Sequence, residues 1–311
     1  MNATREHQPR LTIGMPVFND ARFISESLSS VLAQEFSDFE LIISDNGSTD
    51  GTSEICSDFA KHDARIRYER QPENRGAAWN FRRVLERAST EYFMWASSHD
   101  LLDSSLVRKC VALLDEDSNV VLVYARSRLI DREGQVVEPC MGDRIDLRGK
   151  ESIQRVRTIV RKLSTCNMMY GVFRRVVLEK VRCDRPCIGP DHVMLLEIVI
   201  LGEIAQIPDV LFRRREVRAR ATNPDEFHAA QYERLTGKRD PSALRWRYWR
   251  WYGEHIRSVL RSNVPITVRF RLTAHVADAF FERHRKRLRE ESPLATRVLA
   301  RLRRIAKTVF K

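Results

Sequence analysis

Five short apolar runs punctuate the first 125 residues: Leu11–Met15, Glu40–Ser44, Ile66–Tyr68, Tyr92–Trp95 and Val120–Tyr124. Each is strand-length, and turn formers or capping residues follow it. Between them the apolar positions change to helical spacing. Phe23, Ile24, Leu28, Val31 and Leu32 share one face of a first helix. Further helices are predicted from about Thr52 to His62, over Ala77–Ala88 and over Ser105–Leu114, the last capped by Asp103. Strands alternating with helices at this period make βαβ units. The fold class is therefore α/β, with a mostly parallel sheet flanked by helices and a ligand crevice outside the carboxyl ends of the strands.

The pattern weakens between Asp131 and Leu163. Met168–Arg175 reads as a strand returning to the sheet. Gly189-Pro190-Asp191 precedes an apolar helix over His192–Leu201, and Ile204–Ile207 and Val210–Arg213 read as two extended pieces. Asn223-Pro224-Asp225 is strong punctuation, which divides the chain into residues 1–222 and 223–311. The second part is helical in pattern. It carries an Arg/Trp/Tyr run over Arg245–Tyr252 and a cationic cluster over Arg283–Arg289. Its last helix aligns Leu294, Val298, Leu302, Ile305 and Val309 on one stripe.

Composition adds one decisive asymmetry. Of 54 basic and 42 acidic residues, 18 basic and 6 acidic fall in residues 240–311, so the whole excess of +12 lies there. A basic amphipathic helix with tryptophans nearby suits the surface of an anionic membrane. The competing reading packs the stripe on the first domain and leaves the arginines solvated. Nucleic acid is disfavoured, because no recognised nucleic-acid module accompanies the charge. The six cysteines form no CxxC pair and read as free thiols of a reducing compartment. Met1–Arg10 lacks the apolar core of a secretory signal, and Val193–Leu201 is too short to span a bilayer. The expectation is a cytoplasmic protein, peripheral on the inner face of the membrane.

Four motifs then carry the chemistry: Met15-Pro16-Val17-Phe18-Asn19, Ser44-Asp45-Asn46-Gly47-Ser48-Thr49-Asp50-Gly51-Thr52, Glu73-Asn74-Arg75-Gly76, and the His99-Asp100 turn after Tyr92–Trp95. In order and spacing they resemble the family 2 glycosyltransferases of the GT-A fold, a Rossmann-like α/β architecture. The resemblance covers about residues 10–220 and leaves the basic helical extension outside.

The resemblance implies inverting transfer of a sugar from a nucleotide-diphosphate donor to a hydroxyl of a glycan or lipid-linked acceptor. Phe18 and Pro16 would flank the nucleobase, and Asp45 would bond it. As a residue read alone, Asp45 is equally a turn residue. Arg75 would reach base or diphosphate, or else is a solvated loop arginine. Asp100 matches the aspartate that holds a divalent cation, Mn²⁺ or Mg²⁺. His99 stands where a second acid is usual, favouring a transition metal or a bond to the ribose. The family's further histidine is missing from Leu211–Val217, and Arg213, Arg214 and Arg215 there would offset diphosphate charge instead. Asp191 matches the catalytic base; the competing role for an aspartate at a helix start is an N-cap.

Two other classes remain open on these residues. One is a scaffold that kept the nucleotide crevice and lost the chemistry. The other is a nucleotidyltransferase, which would need a glycine-rich phosphate loop that Pro16-Val17-Phe18-Asn19-Asp20 does not supply. Processive synthesis is disfavoured, since neither membrane spans nor a QxxRW pattern is present.

Overall fold

The computed structural model describes residues 8–142, 144–185, 187–217 and 223–309. The first half alternates as its periodicity predicts: β1 (Leu11–Val17), α1 (Ile24–Leu32), β2 (Phe39–Asp45), α2 (Thr52–His62), β3 (Ile66–Arg70), α3 (Ala77–Glu86) and β4 (Tyr92–Trp95). A two-residue β5 (Leu101–Leu102), α4 (Leu106–Glu116) and a long β6 (Val120–Ile130) follow. β7 (Val136–Met141) and α5 (Ser152–Lys162) occupy the stretch of weak pattern. Then come β8 (Val172–Arg174), the short α6 (Arg175–Leu178), α7 (Pro190–Leu201) and β9 (Glu203–Arg215).

Sheet order is β3-β2-β1-β4-β8-β6-β9-β5, with β7 on β6. The half β3-β2-β1-β4 is parallel throughout, and so is the β6–β9 pair. β8 lies antiparallel between β4 and β6, so the sheet is mixed there. Met168–Arg175 thus holds the expected returning strand, shortened to three residues. The two extended pieces after α7 are one strand. β9 pairs Ile207 with Ala125 and Val210 with Arg126, and Pro208-Asp209 bulges between them. A proline cannot donate to the ladder, so the interruption falls where the sequence breaks the run.

Side chains alternate across the sheet into two cores. Tyr92 and Met94 of β4 point to the face covered by α1, α2 and α4, and Phe93 and Trp95 to the other. α7 is apolar on nearly every side because it is buried on nearly every side. α5 has only Val156, Ile159 and Val160 as a buried stripe among arginines. Packing against α7 and α10 stabilises it beyond its own propensity, which is why its pattern is faint.

The extension is α-helical as expected: α8 (Pro224–Thr236), α9 (Arg247–Arg261), α10 (Ile266–Glu291) and α11 (Pro293–Val309). It shares the second core. Trp251, Val259, Leu272, Val276 and Phe280 join one buried cluster with Val156, Ile159 and Leu195. The Arg/Trp/Tyr run is therefore divided, with Trp251 and Trp249 turned inward and Trp246 left 44% exposed. Trp251 is only 7% exposed, and Trp249 donates its indole N–H to the Leu288 carbonyl at 3.2 Å. On the last helix Leu294 and Val298 remain 67% and 51% exposed. The side chains of Leu302, Ile305 and Val309 lie outside the described residues, as does the expected boundary at 222.

Candidate active site

The carboxyl ends of β1, β2 and β4 are joined by a chain of polar contacts. The Asn19 N–H donates to Ser48 Oγ at 3.0 Å, and Asn19 Oδ1 accepts from the Thr49 N–H at 2.8 Å. The Asp20 N–H donates to Thr52 Oγ1 at 2.9 Å. Across the sheet, Ser98 Oγ donates to Asp20 Oδ2, and His99 Nδ1 lies 3.7 Å from Asp20 Oδ1. Asp20 thus ties the β1 turn to the His99-Asp100 turn. Its position directly after the Pro16–Asn19 motif was the available signal.

Asp45 ends β2 with 0% exposure. Its Oδ1 accepts from the Ser48 N–H at 2.9 Å, and its Oδ2 accepts from the Tyr68 hydroxyl at 2.9 Å. Phe18 stands exposed just past β1, and Pro16 is half-buried within that strand. Arg75 sits beside Asp45 in the backbone, because its N–H donates to Asn46 Oδ1 at 3.0 Å. Its guanidinium turns the other way. It lies 4.5 Å over the Trp79 ring, in a cleft of about 360 Å³ shared with Arg82, Asp184 and Thr236.

The three arginines of β9 divide by strand alternation. Arg213 and Arg215 fall on one side with Glu26. Arg215 is locked: Nη2 pairs with Glu26 at 2.5 Å, Nε donates to the His99 carbonyl at 3.0 Å, and Nη1 donates to the Arg132 carbonyl at 2.8 Å. Its guanidinium is committed to these three partners. Arg214 falls on the other side. Its Nη1 donates to Asn167 Oδ1 at 2.8 Å, and its charge acts on Asp100 and Asp191 together.

Asp100 is 4% exposed, and its Oδ1 accepts from the Arg215 backbone N–H at 2.7 Å. Burial pushes its carboxyl above the usual range, against the pull of His99, that N–H and Arg214. Asp191 is the second residue of α7. The N-cap is Gly189, in the left-handed region, so Asp191 is not the cap. Burial raises its carboxyl too, opposed by its own N–H and by Arg214. The Arg214 charge acts on both carboxyls, while Asp45 is linked through Ser48, Asn19 and Asp20 to the His99-Asp100 turn.

Among the described residues no three His, Cys, Asp or Glu side chains gather as a metal cage. One Asp100 oxygen is already taken by a backbone N–H. The Ser97 side chain also hydrogen-bonds this carboxylate, so a cation held here would be a hard one that arrives with a diphosphate and keeps its waters, as Mg²⁺ commonly does with one carboxylate and substrate oxygens.

A parallel β3-β2-β1-β4 half with acidic turns on its carboxyl edge, an antiparallel return and a long parallel pair beyond it define the GT-A class of fold. Residues 12–182 match the model for glycosyl transferase family 2, and the chain belongs to that family. It is 25% identical over 193 residues to the GalNAc(5)-diNAcBac-PP-undecaprenol beta-1,3-glucosyltransferase of Campylobacter jejuni, covering 61% of this chain and 60% of that protein. The matches to three other relatives span only 20%, 28% and 38% of those proteins. In structure it is similar to S. aureus TarS 1-349 in complex with UDP-GlcNAc, with a TM-score of 0.62 at 16% identity over 90% of this chain and 74% of that one. It is also similar to the mannosyltransferase PcManGT from Pyrobaculum calidifontis in complex with GDP-Man and Mn²⁺, with a TM-score of 0.51 at 16% identity over 96% of this chain and 88% of that one.

Proposed function

We propose that the protein moves a sugar from a nucleotide-diphosphate donor to a hydroxyl of a glycan or lipid-linked acceptor, with inversion. The observation that carries this reading is Asp191: a half-buried carboxylate on the first turn of α7, not spent as a cap, which feels the same Arg214 charge as Asp100. The acceptor hydroxyl attacks the anomeric carbon while its proton passes to Asp191. The bond from that carbon to the diphosphate breaks on the opposite side. Arg214 faces the leaving diphosphate and stabilises the charge that develops there. Phe18 and Pro16 bracket the nucleobase beside Asp45. Asp100 would hold a divalent cation, Mn²⁺ or Mg²⁺, which supplies Lewis-acid neutralisation of the same diphosphate. His99, poised on Asp20, faces the ribose side of that group.

The C. jejuni relative's name supports a lipid-linked glycan as acceptor. The extension supports a peripheral place on an anionic, cytoplasmic membrane face. Trp246, Leu294 and Val298 are exposed beside the arginines Arg245, Arg250, Arg297 and Arg301. No helix among the described residues is long and apolar enough to cross a membrane.

The test is turnover of a panel of UDP-, GDP- and dTDP-sugars with Mn²⁺ or Mg²⁺, hydrolysis included. Wild type should act on at least one, and Asp191→Asn should lose all but a trace of that rate. Equal rates in the two proteins would remove Asp191 as the base.

A further inference from the structure

The extension touches the first domain at two glycines that sit on active-site turns. Gly189, at φ +56°, caps the helix that carries Asp191. A Cβ there would lie 3.0 Å from Trp251 Cζ2 and 3.1 Å from Cε2. Gly76, at φ +86°, follows Arg75, and its Cβ would lie 2.6 Å from the Thr236 carbonyl carbon at the end of α8. At both positions glycine is required twice, by a left-handed backbone and by a close approach.

The Trp251 contact is the deeper one. The indole lies against the Gly189 turn on one side. His192, the residue after Asp191, meets its ring edge-on at 5.2 Å, and Phe280 of α10 closes the other side at 5.2 Å. An ion-pair chain runs parallel to it. Arg185, in the loop before the turn, pairs with Glu197 of α7 at 2.5 Å and lies 3.4 Å from Glu254 of α9. The turn that presents Asp191 is thereby gripped between its own helix and α9.

We infer that Trp251 is a positioning residue of the active site: it holds the Gly189-Pro190-Asp191 turn in place and keeps water from its inner side. The basic extension is then a working part of the catalytic unit, whatever else it binds. This rests on the reading of Asp191 as the base. The titratable and charged groups around the contact are His192 on α7, His255 on α9, and Arg283 and His284 on α10, with Arg214 facing Asp191 from β9. Burial holds His192 and His284 down to about 3 and His255 down to about 4, so all three are neutral in the working range.

The experiment uses the full chain with Trp251→Leu, Trp251→Phe and Gly189→Ala. Amide hydrogen exchange of residues 189–194 is measured against that of β1 and β2. Trp251→Leu and Gly189→Ala should speed exchange at the turn and leave the strands unchanged, and Trp251→Phe should restore protection. With the donor that supports turnover, Trp251→Leu and Gly189→Ala should lose about a hundredfold in kcat, as a displacement of about 1 Å commonly costs. Their KM for that donor should stay within a few fold, and the acid limb of the pH–rate profile should move to lower pH as water reaches Asp191. Unchanged exchange at the turn, or loss spread evenly over turn and strands, overturns the inference. Asp191→Asn inactive while both variants match wild type in rate and pH profile sinks this inference alone. Asp191→Asn fully active sinks the reading beneath it.

Discussion

The Asp100 carboxylate accepts the backbone N–H of Arg215 at 2.7 Å, and this bond fixes which arginine faces the site. With the Arg215 backbone pinned to the β4 turn and its guanidinium held by Glu26, alternation turns Arg214 to the opposite side. The charge of one cation thereby acts on both Asp100 and Asp191.

That arrangement predicts a diphosphate site that works in part without added metal. Titration of UDP and GDP by calorimetry should show binding weakened but retained in EDTA. Arg214→Ala should weaken it by about ten- to a hundredfold, the range of a hydrogen bond to a charged group. Combined with EDTA, that variant should bind neither nucleotide. Binding that vanishes in EDTA with Arg214 intact would assign the charge neutralisation to the cation alone.

Asp191 sets the pH dependence. Its carboxyl is raised by burial, so it loses its proton at a higher pH than an ordinary aspartate. The base form is lost as pH falls through that raised value, and the rate should fall on acidification above the usual carboxylate range. Stability runs the other way. A carboxyl that titrates higher folded than unfolded costs stability once ionised, and the cost disappears below the unfolded value. Asp191→Asn should therefore melt higher than wild type at neutral pH while losing activity, and the gap should close near pH 4.

Much of this site was legible before any coordinates. The motifs on β1, β2 and β4 lie at strand ends, where an apolar run breaks into turn residues, and a local pattern marks such a break directly. Arg214 was legible only as one of three; choosing among them needs the register of β9 against β6 and the Asp100 bond, both long-range. Asp20 was hidden because its partner Ser98 lies 78 residues away, with His99 beside it on the same turn. Trp251 was misleading, because an aromatic run among arginines reads the same whether it faces lipid or a core. Its burial and its contact with Gly189 distinguish the two.

The Arg185–Glu197 pair sets a stability prediction. The Arg185 side chain is almost wholly buried, and Glu197 nearly so. Removing Glu197 alone leaves Glu254 3.4 Å away, so the double variant Glu197→Ala/Glu254→Ala, which strands the Arg185 charge, should cost about 3–5 kcal/mol. Denaturant titration measures it. A loss below about 1 kcal/mol would match an exposed pair and show that water reaches this loop.

At the donor side the prediction concerns Gly76. Asn46 holds this loop through Asn74 and the Arg75 N–H, and α8 lies against its outer face. A methyl group at residue 76 meets the backbone of Thr236 and Gly237, which cannot rotate away as a side chain can. Either the loop or the end of α8 must shift. Because Asn46 follows Asp45 directly, a loop shift is felt at the nucleobase end and not at Asp191. Gly76→Ala should therefore weaken UDP or GDP binding about tenfold or more, at the cost of one charged hydrogen bond, and leave the acid limb of the rate profile in place. Unchanged nucleotide affinity would mean that α8 yields instead, and that the donor loop is held from the Asn46 side alone.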